Sequence, residues 1–292
     1  MPTLKEIKGR IASVRSTLKI TSAMKLVSSA KLRKAQNAIE AMRPYEEQLL
    51  GILASLQGGT AGVSSLNLGK NKDERKTIVA IASNSSLCGG FNANAIAKVR
   101  AIRRPGDTVY AIGRKMADAM RKEGFASPED FSALSEHPSY GPAAALVEKL
   151  VADVEAGRTG AVVLVYNHFV STARQEPVVE VLMQRETPDQ VGGDRGVEER
   201  DSSPAPFYIA PLLEPSRAAL LEALVPKTRK LKLYAALLDS AAAEHAARTV
   251  AMQTATDNAE NLLAELTLQY NKGRQQKITS EILDLAGGQA EN

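Results

Sequence analysis

Two stretches, one at each end of the chain, are too long for a globular domain to contain. Residues 3–56 keep helical apolar spacing almost without a break, and residues 226–286 do so again. At about 1.5 Å per residue such helices span roughly 80 and 90 Å, whereas a small domain is about 30 Å across. A lone helix of this kind leaves its apolar stripe without a partner. The economical solution is that the two wind around each other, antiparallel, and project from whatever lies between them.

The N-terminal helix carries its own start signal. Thr3 and Glu6 form a T-x-x-E capping box, in which each side chain satisfies a backbone N–H of the other residue. Leu4, Ile7, Ile11, Val14 and Leu18 follow in steps of three and four, the average of a coiled-coil seam. Beyond Thr21 the apolar pattern predicts a drift of the seam onto Ile20, Met24, Val27 and Leu32. Pro44 predicts a kink, after which spacing resumes at Leu49, Ile52, Leu53 and Leu56. At the other end a short helix is expected over 216–225, and Pro226 suits the first position of a new one. Its expected seam runs through Tyr234, Leu238, Ala241, His245, Met252, Ala255, Ala259, Leu262 and Leu266, with a charge interrupting at Arg248.

The middle of the chain has another texture. Four apolar segments, 77–82, 107–112, 161–166 and 178–183, read as strands, with helical stretches to about residue 103, over 113–123 and over 140–156. Alternation of this kind argues for an α/β layer on a largely parallel, Rossmann-like sheet. The fold class is therefore α/β, a long antiparallel coiled coil of terminal helices plus a central Rossmann-like domain. Its segments are a helix over 1–58, a foot domain over 76–210, and a short then a long helix over 211–292. Glycines and charges over 58–76, and a Gly- and Pro-rich stretch at 186–206, read as flexible connections.

Composition narrows the chemistry. Of 292 residues only 4% are aromatic, and Trp is absent, so an aromatic-rich pocket is not expected. A single cysteine, Cys88, excludes an internal disulfide and a cysteine zinc cluster. His137, His168 and His245 show no metal-ligand spacing. We expect no metal, no cofactor and no membrane span. The net charge of +4 sits largely at the start, where residues 1–43 hold ten Lys/Arg against Glu6 and Glu40.

Each motif has a plain structural reading beside a functional one. The turn Cys88-Gly89-Gly90 follows a strand, yet no phosphate-loop pattern accompanies it. It reads as a tight structural turn, with Cys88 a buried, inert thiol. His168 stands at a strand end, where α/β enzymes place catalytic groups, and also reads as structural. The basic stretch from Lys25 to Lys34 suits phosphates, an acidic protein partner or plain solvation alike, and it lacks aromatic side chains for stacking on bases. The polar run 270–282 reads equally as a fraying end or as a contact zone with another chain.

These segments resemble the gamma subunits of F-type ATP synthases. The resemblance lies in Ile20–Val27, Ala30–Gln36, Leu87–Asn92, Tyr166-Asn167, Glu244–Met252, Ala255–Ala259 and Tyr270–Ile282, in the family's order and along nearly the whole chain. One departure is Asn84-Ser85-Ser86, where the family has an Asp-Arg-Gly-like stretch. The resemblance implies a central rotor shaft without a catalytic site of its own, coupling proton flow to ATP synthesis and hydrolysis. It implies a ring of three alpha and three beta subunits around the coiled coil, with an epsilon subunit and the c-ring at the foot. It also implies a peripheral place on the cytoplasmic face of the inner (plasma) membrane.

Carried over by residue, Met24, Lys25 and Arg33 lie where the shaft passes the catalytic subunits, with Arg248 near them on the partner helix. The resemblance implies that the Arg248 charge bonds across the coiled coil or to the ring. Arg274, Gln275 and Thr279 match a polar catch on a catalytic subunit. Ile282, with Leu283, Leu285 and Ala286, matches an apolar bearing. Two rivals remain: a small-molecule enzyme built on Cys88 or His168, and a basic coiled-coil nucleic-acid binder. The rotor resemblance implies no nucleic acid.

Overall fold

A computed structural model describes residues 3–56, 75–125, 127–185, 214 and 216–288. The connections expected over 58–74 and 186–206, and the apolar run at 207–209, lie outside the described residues.

The N-terminal stretch is one helix, α1 (Leu4–Leu56). Its capping box forms: Thr3 N donates to Glu6 Oε2 at 2.9 Å, and Glu6 N donates to Thr3 Oγ1 at 3.3 Å. Pro44 lies inside α1 without ending it. One backbone hydrogen bond is lost there, but Leu49, Leu53 and Leu56 beyond it are buried and hold the last turns in place.

The strands are β1 (Lys76–Ile81), β2 (Thr108–Ile112), β3 (Ala161–Phe169) and β4 (Gln175–Gln184). They form one sheet in the order β2-β1-β3-β4. β1 pairs in parallel with β2 and β3, while β4 is antiparallel to β3. The sheet is thus mixed at one edge, because only a short turn joins β3 to β4 and so allows no crossover.

Helices α2 (Phe91–Ile102) and α3 (Arg114–Lys122) cover one face, with Ile78, Ala80, Val109 and Ala111 packing on Met116 and Met120. Helices α4 (Ser132–Glu136), α5 (Tyr140–Glu155) and α6 (Arg217–Gly288) lie on the other. There Val79, Ile81, Tyr110 and Leu164 meet Leu146, Leu150, Leu233 and Leu237. Coverage on both faces is why β1 and β3 read as continuous apolar runs rather than alternating ones. The turn into α3 requires glycine: Gly113 has φ +96, and a Cβ there would lie 2.1 Å from the Ala82 carbonyl oxygen.

The C-terminal segment corrects an expectation. It is a single helix from Arg217 to Gly288, with Pro226 inside it, rather than a short helix followed by a long one. The proline removes one bond from the ladder, and the neighbouring turns are retained by packing, with Leu231 buried and Leu233, Ala236 and Leu237 buried against α5 and the sheet.

α1 and α6 form the most extensive interface in the chain, and it is antiparallel. Leu4 meets Gly273, Thr21 meets Thr256, and Leu32 meets Ala242 and Ala246. The seam on α1 does not drift. The inward positions continue in steps of three and four through Thr21, Lys25, Ser28, Leu32, Ala35, Ile39, Met42, Glu46, Leu49, Leu53 and Leu56. Ile20 and Val27 instead point outward, each 57% exposed. On α6 the upper seam runs through Met252, Thr256, Ala259, Leu263 and Leu266, and Leu262 is 45% exposed. Small polar residues, Thr21, Ser28 and Thr256, take buried seam positions, which an apolar pattern alone does not register.

Candidate functional site

Folding leaves an unusual surface on the upper part of the helix pair. Ile20, Leu26 and Val27 on α1 are exposed, as are Val250, Leu262, Leu268, Ile278, Ile282 and Leu283 on α6. Met24 is half-buried beside the seam, Lys25 is half-buried within it, and Arg33 is exposed. Of the ten basic residues in 1–43 only Lys25 is even half-buried. Among the described residues none of them forms an ion pair. Among the described residues these apolar and cationic side chains stay exposed and unpaired.

α6 outruns its partner. Past Gly273, which faces Leu4 at the start of α1, it continues alone to Gly288, about 22 Å of single helix. Arg274, Gln275, Thr279 and Ile282 all lie on this lone tip, and all are exposed. The Thr279 hydroxyl donates to the Gln275 carbonyl at 2.9 Å. The side chains of Leu285 and Ala286 lie outside the described residues.

Arg248 lies elsewhere, at the junction of shaft and foot, and is buried. Its Nη1 donates to Glu244 Oε1 at 2.7 Å, one turn below on α6. Its Nη2 donates to Ser85 Oγ at 2.8 Å, in the loop after β1. Both charged side chains are about one-tenth exposed. Burial raises the Glu244 carboxyl above its ordinary value, and Arg248 pulls it back. His245 beside them is pushed down to about 4 by burial, then by Arg248 and Lys31.

The Cys88-Gly89-Gly90 turn seats this loop. Leu87 and Gly89 both have positive φ, +67 and +56, and Gly90 caps α2. Cys88 and Phe91 are buried against Ala243 and Ala247 of α6. The departure at 84–86 has defined partners here. Asn84 Oδ1 accepts from Arg114 N at 3.0 Å, its Nδ2 donates to the Ser132 carbonyl at 2.8 Å, and Ser85 holds Arg248.

The two residues of the enzyme reading, Cys88 and His168, have structural partners among the described residues. Cys88 is 2% exposed, and its sulfur accepts from Asn92 Nδ2 at 3.2 Å. His168 Nδ1 lies 2.5 Å from Asp239 Oδ2, and Asp239 Oδ1 accepts from Phe169 N at 3.0 Å, so the pair fastens the end of β3 to α6. Burial raises the Asp239 carboxyl. A shallow depression of about 170 Å³ between α5 and α6, over Val147, Val151 and Pro226, involves neither Cys88 nor His168. Sequence reasoning missed Ser85 and Asp239 as polar anchors, because their partners lie far along the chain. No helix among the described residues is long and apolar enough to cross a membrane.

The profile of the ATP synthase family matches residues 3–290. The chain is 46% identical to an ATP synthase gamma chain of Phocaeicola vulgatus and 44% identical to one of Bacteroides fragilis, covering 99% of each chain in both pairs. It is 38% identical to a gamma chain of Pelotomaculum thermopropionicum with the same coverage. In architecture it is similar to a chain of the Euglena gracilis mitochondrial ATP synthase OSCP/F1/c-ring structure. The TM-score is 0.74 over 98% of this chain and 93% of that one, at 20% identity. The long antiparallel shaft agrees with this kinship, and the chain belongs to the ATP synthase gamma chain family, the non-catalytic central-stalk rotor of the F-type enzyme.

Proposed function

We propose that the upper helix pair inserts into a ring of three alpha and three beta subunits, while the foot meets an epsilon subunit and the c-ring. The complex then sits on the cytoplasmic face of the membrane. The observation that carries this reading is the exposed apolar belt of Ile20, Leu26, Val27, Leu268, Ile282 and Leu283 along the shaft. A water-filled setting would leave that surface costly, at about 25 cal/mol per Å² of apolar area.

A single shaft cannot offer the same face to three catalytic subunits at once. Each is then biased toward a different conformation by its own contacts with the shaft, and turning the shaft moves the bias around the ring. Met24 lies beside the belt and Lys25 within the seam next to it, one turn along α1 from the Thr21–Thr256 contact. Arg33 extends the cationic side toward acidic loops of the ring. Arg274, Gln275 and Thr279 form the polar catch, and Ile282 rides in the apolar bearing above it.

The experiment is to mix the purified chain with separately prepared alpha and beta subunits and to record complex mass and ATPase activity together. A 3:3:1 assembly whose activity depends on this chain is the expected result. Failure of the three components to assemble would refute the reading. A specific small ligand bound by the chain alone, or steeply salt-dependent nucleic-acid binding, would favour the rival readings.

A further inference from the structure

We propose that Ser85 is a positioning residue for rotary coupling: through Arg248 it locks the foot to the shaft at the level where the helix pair leaves the foot, so that the two turn as one body. This rests on the reading that the foot meets the c-ring.

Polar ties between α6 and the foot form a ladder. Lys230 pairs with Glu148 of α5 at 2.5 Å, and Lys232 donates to the Val181 carbonyl of β4 at 2.9 Å. Asp239 holds His168 and Phe169 N at the end of β3, and Arg248 holds Ser85. The ladder covers about 27 Å of helix. Among the described residues its last rung is Arg248, and beyond it the exposed side chains of α6 begin with Val250.

The top rung differs from the others in enclosure and in geometry. Glu148 is 64% exposed and the His168 side chain 51%, whereas Arg248 and Glu244 are each about 10% exposed. Exposed pairs contribute little, and a dehydrated, charge-assisted bond contributes more. The packing next to it, Cys88 and Phe91 on Ala243 and Ala247, is apolar and non-directional, so small side chains there resist separation better than slip. A planar guanidinium with one nitrogen on Glu244 and another on Ser85 fixes an angle.

The loop that receives this bond is itself anchored. The Ser85 carbonyl accepts from Ser83 Oγ at 2.5 Å and from Asn92 Nδ2 at 3.2 Å, and Asn92 Oδ1 accepts from Ser83 N at 3.0 Å. Asn84 ties the same loop to α3 and α4. Rotation of α6 relative to the foot therefore pulls, through Ser85, on the loop that leaves the central strand β1 rather than on a loose strap.

The test uses the assembled ATP synthase in sealed vesicles with Ser85→Ala and Ser85→Thr. Protons pumped per ATP hydrolysed, the hydrolysis rate and the amount of complex are measured together. We expect Ser85→Ala to lower the pumped-to-hydrolysed ratio about twofold or more with complex and hydrolysis retained, and Ser85→Thr, which keeps the hydroxyl, to restore it. An unchanged ratio in Ser85→Ala, a loss only in step with lost complex, or no rescue by Ser85→Thr would each overturn the proposal. Hydrogen exchange over residues 83–88 in the same complex reads the tie directly. Faster exchange in Ser85→Ala is expected, and unchanged exchange overturns the proposal whatever the pumping does. If the wild-type chain supports no pumping while exchange responds as expected, the c-ring reading fails and the tie stands.

Discussion

Thr21 of α1 and Thr256 of α6 meet hydroxyl to hydroxyl, 3.0 Å apart, in the buried seam of the helix pair. Thr21 donates to the Leu18 carbonyl at 3.1 Å, which leaves its oxygen free to accept. Thr256 also lies 2.8 Å from the Met252 carbonyl. Thr21 thus donates within its own helix and accepts from Thr256 across the seam, the single Thr256 proton being shared between Thr21 and the Met252 carbonyl, and this contact ties the register of one long helix to the other.

That bond predicts a measurable coupling. Thr21→Val and Thr256→Val are each expected to destabilise the chain by about 1 kcal/mol. The double variant is expected to cost less than the two together, because removing both partners leaves neither unsatisfied. A double-mutant cycle in urea checks this, and strict additivity would refute the bond.

Arg248 and Glu244 depend on each other. Arg248→Met leaves the Glu244 carboxylate enclosed without its cation, at an expected cost of about 3–5 kcal/mol. Adding Glu244→Leu to that variant is expected to recover most of the loss. Thermal unfolding of the three variants checks the pattern.

Gly113 and Gly89 both have positive φ but differ in space. Gly113→Ala drives a Cβ into the Ala82 carbonyl, whereas nothing lies within 4 Å of a Cβ at Gly89. We expect Gly89→Ala to cost about 1–2 kcal/mol and Gly113→Ala clearly more. Equal melting temperatures for the two variants would contradict this.

His245 makes stability depend on pH. Its folded value, about 4, lies below its ordinary 6.5, so the folded state binds fewer protons in between. Its contribution is complete above about pH 6.5 and is lost as pH falls through about 4. Because the ring is partly exposed, we expect a loss of about 1–2 kcal/mol. Glu46, Asp239 and Glu244, raised mainly by burial, act in the opposite sense at the lower end of this range. Urea denaturation from pH 7 to 4.5 is expected to show a smaller fall for His245→Gln than for the wild type.

Met24→Lys places a charge without a partner beside the belt proposed to face the ring. We expect coupling to suffer more than folding. Normal ATP-driven pumping relative to hydrolysis in that variant would count against the assignment, as would unchanged complex recovery in Arg274→Ala.

Much of the architecture was legible because it depends on local periodicity. The capping box at Thr3 and Glu6, the start of the seam from Leu4 to Leu18, and the four strands all follow from residues close together in sequence. The seam above Leu18 departs from the apolar pattern because Thr21 and Ser28 on α1, and Thr256 opposite them on α6, are polar. They are buried only because the opposite helix comes close enough to satisfy or exclude them. Pro226 reads as a helix start, and long-range packing overrode it.

The sequence alone determined that two helices longer than any domain must find each other, since an apolar stripe repeating over so many turns has no other means of leaving water. It also determined that strands alternate with helices in the middle, as an α/β layer requires. The tertiary structure decided which side chains face outward on the shaft, how Ser85 comes to hold Arg248, and that His168 fastens to Asp239. Those are contacts between residues far apart along the chain. Their geometry depends on the register of α6 against α1 and the foot, which no local pattern encodes.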